Sequence, residues 1–581
     1  MKSLSFRAVA SLVICFAFTS PLCASDWVEE SNANTRFVME AQAQLSPENF
    51  SSLGIESVDG NIFDLGPDIY ERTQALSRQL IVDLEARKTT TEDPRVLQDL
   101  DILIKSVRDQ IRTEELDHKY MLPYINLSQA MYYSFRSLLD PRNDPARRPA
   151  ALERLARYTG QAEGYTPVTT LARDRTIERF DTPGLLGPYR NEVEKDLGNV
   201  ERFSEGLEGM FAESGLEGWQ ENLALLNRQL DDYANWLKAE MMPRTRTDHR
   251  LPEEVYANNL RDYGVDMEPR QLIRTAQLGF ADIQMQMRAI AAQVAKQRGL
   301  ASSDYRDVMK ELGKEQIPEE EVLDYYRNVL VQLETIIRDN DLVSLPQRDA
   351  AIRLATEAES GAAPAPFLSP PQLIGNTGQQ GEFVLVTHSP DEKGGGEVSD
   401  FGSPASTWSL TAHEARPGHE MQFAAMVEGG ISTARAIYAF NSANVEGWGL
   451  YSEAIMQQYL SPEAQLFGLK ARLMRAARAF LDPMLNLGMI EPEQALEFIV
   501  SEVGISRPLA QQEVNRYTFM GPGQATSYYY GYMNLMALRT EVELRMRGRF
   551  NQRAYHDFLL KQGLLPPDIL RQAVLEDFVA E

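Results

Sequence analysis

Residues 271–297 read QLIRTAQLGFADIQMQMRAIAAQVAKQ. Within this stretch Leu272, Ile273, Ala276, Leu278, Phe280, Ile283, Met287, Ile290, Ala291 and Val294 recur at steps of three and four, the spacing of one apolar helix face. Residues 320–338 repeat the pattern through Val322, Tyr325, Val329, Leu330, Leu333 and Ile336. So do residues 216–242, through Trp219, Leu223, Leu226, Leu230, Tyr233 and Trp236. Aromatic and Met side chains at this period pack a core. Leu, Ala, Glu, Gln, Arg and Met, all good helix formers, are abundant throughout. The expected fold class is mainly α, a large multi-helix unit.

One segment interrupts that pattern. Residues 360–406 contain Pro364, Pro366, Pro370 and Pro371, then Gly394, Gly395 and Gly396. Inside it, residues 382–387 (EFVLVT) are β-branched and apolar enough for a strand. The reading is a long loop with a small β element near residues 380–390. Helical patterns resume at about residue 404 and continue to about residue 550, with breaks at Ser461-Pro462, Glu491-Pro492 and Gly521-Pro522-Gly523.

The chain has 581 residues, with 43% hydrophobic and 24% charged, the composition of a soluble globular protein. Its formal charge of -26 opposes nucleic acid and anionic lipid, both of which are bound through Lys and Arg. At the N-terminus Lys2 and Arg7 precede an apolar run over residues 8–18, and Ala24 and Ser25 follow. This is the layout of a secretory signal peptide, too short to span a bilayer. Both cysteines, Cys15 and Cys23, fall in it, and Pro21-Leu22 makes a poor lipoprotein cleavage site. The expected organisation is a signal peptide over residues 1–24, a helical N-terminal region over 25–359 and a catalytic region over 360–581, the last two intertwined. The mature chain is expected to be periplasmic or secreted, with no stable membrane span. Walker, dinucleotide-binding and serine-elbow patterns are absent.

Six histidines are present, His118, His249, His388, His413, His419 and His556, and two of them lie in H413-E414-A415-R416-P417-G418-H419-E420. Zinc peptidases normally carry HExxH, which places both histidines on one helical face. Here the spacing is six, which turns the second histidine about 240° from the first. Pro417 cannot donate to the carbonyl of His413, and Gly418 permits unusual backbone. The motif therefore reads as HExxH with Pro-Gly inserted, and a two-residue bulge would restore a shared face. Glu446, twenty-seven residues after His419, opens E446-G447-W448-G449-L450-Y451-S452-E453. Glu446 and Glu453 are seven apart and share a helix face. One carboxylate on zinc and a second behind a ligand histidine is the usual arrangement. The expected metal ligands are His413, His419 and Glu446, with Glu453 behind them.

On these blocks the chain resembles a bacterial family, the domain of unknown function eight-eight-five (DUF885). The resemblance also rests on S369-P370-P371-Q372-L373-I374-G375-N376-T377-G378 and P522-G523-Q524-A525-T526-S527-Y528-Y529-Y530-G531. That family is similar to helical zinc peptidases using two His and a Glu, such as the carboxypeptidase Taq and oligopeptidase groups. The resemblance implies a peptidase-like helical fold with a central cleft, a Zn cofactor and hydrolysis of amide bonds.

In that reading Glu414 is the general base beside an activated water. The oxyanion needs a donor besides the metal; Tyr528 is the first candidate and Tyr517 the rival, with Gln524 one helical turn from Tyr528. A substrate carboxylate would need a cation, with Arg516, Arg507, Arg539 and Arg416 as candidates. His388, beside the glycine run, is a candidate substrate contact. The expected function is a secreted zinc metallopeptidase acting on a peptide or small amide. Two alternatives stay open, a zinc hydrolase of non-peptide amides or esters and a non-catalytic peptide-binding protein with a degenerate site. Oligomeric state is not encoded in any of these features.

Overall fold

The computed structural model of the protein describes residues 26–356, 359–360, 365–376, 378–386 and 400–580. The signal segment lies outside them. The described residues form twenty-two α-helices and one small sheet, so the fold is mainly α, as its apolar periodicity implies. No helix among the described residues is long and apolar enough to cross a membrane.

The stretch read first lies within the helix Pro269–Arg298. Glu268 caps it, its carboxylate accepting from the backbone N–H groups of Arg270 and Gln271 at 2.9 Å each, and Pro269 takes the first helical position, where no N–H is needed. Gly299 ends it in a left-handed conformation at φ 67°, which glycine adopts without steric penalty. Leu272, Ala276, Ile283, Met287, Ala291 and Val294 are buried. Leu278 departs from the expectation and points outward, 75% exposed, because it lies off the stripe that its neighbours define.

That face packs on the helix Pro462–Asn486. Phe280 meets Phe480 edge to face, with ring centroids 5.5 Å apart. Each such burial stabilises the fold by roughly 1.5–3 kcal/mol relative to exposure. The helix Pro462–Asn486 is buried around most of its circumference, so it is the central post of the C-terminal half. Beside it the helices Ser442–Met456 and Ser527–Met546 cross with Gly447 against Gly531. A Cβ on Gly531 would lie 1.9 Å from the Ala443 carbonyl oxygen, so neither backbone could approach so closely with a side chain there.

The sheet has the order β1-β3-β2, with β1 Ala351–Leu354, β2 Phe367–Ser369 and β3 Glu382–Leu385. The expected strand is therefore real but occupies the centre, parallel to β1 and antiparallel to β2. Phe383, Val384 and Leu385 are all buried, which explains why the strand reads as a continuous apolar run rather than an alternation.

The N-terminal helices join the rest through buried charge as well as apolar packing. Asp99, on the helix Pro94–Tyr120, accepts from Arg435 Nε at 2.8 Å and from Ser31 Oγ at 2.5 Å. Asp99 and Arg435 are both buried.

Candidate metal centre and cleft

His413 stands on the last turn of the helix Thr407–Glu414, and His419 is the first residue of the helix His419–Gly429. The motif is therefore two helices with a break between them, not one helix with a bulge. Gly418 approaches so closely that a Cβ would lie 1.8 Å from the His413 carbonyl oxygen. The Arg416-Pro417 peptide is cis. The Pro417 carbonyl, freed from helical bonding, accepts from Trp448 Nε1 at 2.9 Å and from Ser452 Oγ at 3.3 Å. Both donors belong to the helix Ser442–Met456, so this turn is tied to the helix that carries Glu446.

Arg416 does not face the cleft. It is buried and donates to Glu420 at 2.7 Å, Glu334 at 2.5 Å and the Arg348 carbonyl at 2.8 Å. It anchors the turn to the helix Val322–Asp339.

Donor atoms of His413, His419 and Glu446 all lie within 4.8 Å of one another. Glu446 Oε2 is 3.4 Å from Nε2 of each histidine. Zinc bonds of about 2.1 Å at a tetrahedral angle place donors about 3.4 Å apart, so the donor set fits that ion in kind and in size. Behind it, His413 Nδ1 is 2.8 Å from Glu453 Oε1. Glu453 Oε2 accepts from Ser409 Oγ at 3.1 Å, and Arg475 lies 3.5 Å from Oε1. A carboxylate in this position fixes the tautomer and orientation of the imidazole.

The electrostatics follow from that crowding. Burial opposes a charge on His413, but Glu446 and Glu453 on either side prevail and raise its pKa to about 9. Burial likewise pushes the Glu446 carboxyl up, yet the two histidines hold it well below the ordinary value. Glu414 is raised, chiefly by burial. Its Oε2 accepts from the backbone N–H of Leu368 at 3.0 Å, so β2 reaches the carboxylate next to the triad.

His413 and Glu414 line a cleft of about 830 Å³ together with Arg516, Gln524 and Tyr528. Tyr528 stacks against His413, ring centroids 6.4 Å apart, and its hydroxyl accepts from Arg516 Nη2 at 2.9 Å. Arg516 also donates to Gln524, so the two residues that share a turn in the sequence converge on one guanidinium. Tyr517 does not belong to the cleft. It is fully buried, and its hydroxyl donates to Glu513 at 2.8 Å. Of the other arginines considered, Arg507 pairs with Glu497 on the surface and Arg539 with Glu543 and Tyr451. His388 lies outside the described residues.

Sequence reasoning passed over Arg475 and Arg478. Both line the cleft from the helix Pro462–Asn486, where they belong to a basic run with Lys470 and Arg472 that the sequence does not tie to the motif. Arg478 makes a two-pronged pair with Glu513 at 2.8 and 2.6 Å.

The model of the bacterial family of proteins of unknown function DUF885 matches residues 47–574. The chain belongs to that family. Among solved structures it is similar to a candidate lipoprotein of unknown function from Shewanella oneidensis. That pair has a TM-score of 0.74 and 20% identity, covering 95% of this chain and 100% of the other. A candidate lipoprotein from Colwellia psychrerythraea superposes with a TM-score of 0.76 and 15% identity, covering 95% and 99%. At these identities the likeness is one of fold. No curated protein matches the chain.

Proposed function

We propose that the protein is a zinc-dependent hydrolase of peptide amide bonds. The observation that carries this reading is the convergence of His413, His419 and Glu446 to within 4.8 Å, with Glu414 next to them on the cleft wall. A purely structural metal site has no need of a carboxylate base beside its ligands or of an open cleft.

His413, His419 and Glu446 would hold the ion, and Glu453 keeps the His413 ring in the orientation that presents Nε2. When bound, zinc would make a water nucleophilic near neutral pH and polarise the substrate carbonyl. Glu414 takes the proton of the attacking water and delivers it to the leaving nitrogen as the C–N bond breaks, so the base is regenerated in each cycle. Tyr528 accepts its hydrogen bond from Arg516, which leaves its own proton free to donate to the carbonyl oxygen as negative charge develops there.

The signal-like segment at residues 1–24 and the names of the two structural relatives as candidate lipoproteins support a site of action outside the cytoplasm.

The test is the metal content and peptide hydrolysis of the purified protein, compared with Glu414→Gln. The wild type is expected to hold one zinc and to cleave peptides, and the variant to keep the zinc and lose about a hundredfold or more in rate. A wild type without zinc, or a variant of undiminished rate, refutes the proposal.

A further inference from the structure

Lys470, Arg475, Arg478 and Arg516 line the cleft, in a chain of net charge -26. Three of them surround Tyr528. The guanidinium carbons of Arg475, Arg478 and Arg516 lie 6.0, 4.6 and 5.1 Å from the centre of its ring. Glu513 serves two of these cations, Arg478 through its two-pronged pair and Arg516 at 3.8 Å, and it also accepts from Tyr517. Glu453, the carboxylate nearest Arg475, is already engaged by His413 and Ser409.

Arg516 donates to the neutral Gln524 and Tyr528 and reaches a carboxylate, Glu513, only at 3.8 Å; a partly desolvated cation held so loosely is costly unless an anion completes its set. A cationic cleft in an acidic protein also draws anions in and repels cations. The ring that Arg475, Arg478 and Arg516 surround stacks on His413, so these cations adjoin the proposed reacting centre. Arginine presents a fork that matches a carboxylate.

Resting on the peptidase reading, we infer that the cleft takes peptides carrying a carboxylate close to the scissile bond, seated against Arg516. The carboxylate belongs either to a free C-terminus or to an Asp or Glu side chain of the substrate.

The two sources separate in one experiment on the zinc-supplemented full chain. The probes are acetylated tetra-alanine as the free acid, the same peptide as its amide, and the amide with one alanine replaced by glutamate. Hydrolysis is followed with the wild type, with kcat and KM resolved, and binding is measured by calorimetry with Glu414→Gln. One or both carboxylate-bearing peptides are expected to bind at least tenfold tighter than the neutral amide. A preference for the free acid alone assigns the C-terminus, and one for the glutamate peptide alone assigns a side chain. In Arg516→Gln the preference is expected to shrink to within twofold, while Arg516→Lys keeps part of it. The comparison among peptides on the wild-type arginines decides the matter even if Arg516→Gln does not fold. Equal binding of all three peptides overturns the inference. Hydrolysis without a carboxylate preference sinks this subsite and leaves the peptidase standing; a binding preference without any hydrolysis does the reverse.

Discussion

Gly449 leaves the space that the His413 ring fills: a Cβ at this position would lie 2.6 Å from His413 Cε1. Glycine inside a helix ordinarily lowers stability by about 1 kcal/mol relative to alanine, so its presence here is explained by the imidazole it accommodates. Gly449→Ala is expected to displace His413 and to weaken zinc binding at least tenfold, while leaving the helical content unchanged. Competition against a chromogenic chelator measures the first and circular dichroism the second. Unaltered zinc affinity would mean that the ring has another place to go.

Glu453 acts on the ion only through His413 Nδ1. In Glu453→Gln the carboxamide can still touch the ring, but it no longer stabilises the N–H that presents Nε2. A fall in zinc affinity of about 10- to 100-fold is expected, read by the same competition. An unchanged affinity would reduce Glu453 to a packing partner of Ser409 and Arg475.

Tyr528 and Tyr517 give opposite expectations. Tyr528→Phe should lower kcat by about a hundredfold, the usual effect of losing an oxyanion donor, with little change in KM. Tyr517→Phe should leave kcat within a few-fold and destabilise the fold by about 1–2 kcal/mol, since Glu513 loses a buried donor. Steady-state kinetics and urea unfolding of both variants check the pair. If Tyr517→Phe is the catalytically damaged variant, the roles assigned here are exchanged.

His556 governs part of the acid stability. It is fully buried, with Nδ1 2.7 Å from the Leu342 carbonyl oxygen and Nε2 2.8 Å from the Tyr451 hydroxyl. Burial lowers its pKa from 6.5 to about 4. Between these values the unfolded chain binds a proton that the folded chain refuses, so the contribution is complete above about pH 6.5 and is lost as pH falls through about 4. The loss is about 3 kcal/mol. The urea midpoint should fall further between pH 7 and pH 4.5 in the wild type than in His556→Gln; parallel acid profiles would remove His556 from the account.

Much of the candidate site is legible in the chain because its residues are local. His413 and Glu414 are adjacent on one helical turn, and Glu446 and Glu453 lie two turns apart on one helix, so spacing alone puts the second pair on a shared face. The break after Glu414 was foreshadowed by Pro417 and Gly418, but its form was not. Whether a helix bulges or ends depends on what donates to the freed carbonyls, and here Trp448 and Ser452 donate from another helix. Arg475 and Arg478 stayed hidden because only the fold brings their helix to the cleft. Tyr517 lies one turn after Glu513 and bonds to it, whereas Tyr528 opens the next long helix and turns its ring to His413, a difference that appears only when the two elements are placed. β1 and β2, at four and three residues, are too short for any period to register.

The buried pair between Arg435 and Asp99 joins residues 336 positions apart. Trimming the chain to its motif-bearing half would remove Asp99, Gln98 and Trp27 from around Arg435 and expose the apolar surface that packs on the N-terminal helices beside it. The half that carries the candidate metal centre is therefore expected to need the N-terminal helices in order to stay folded.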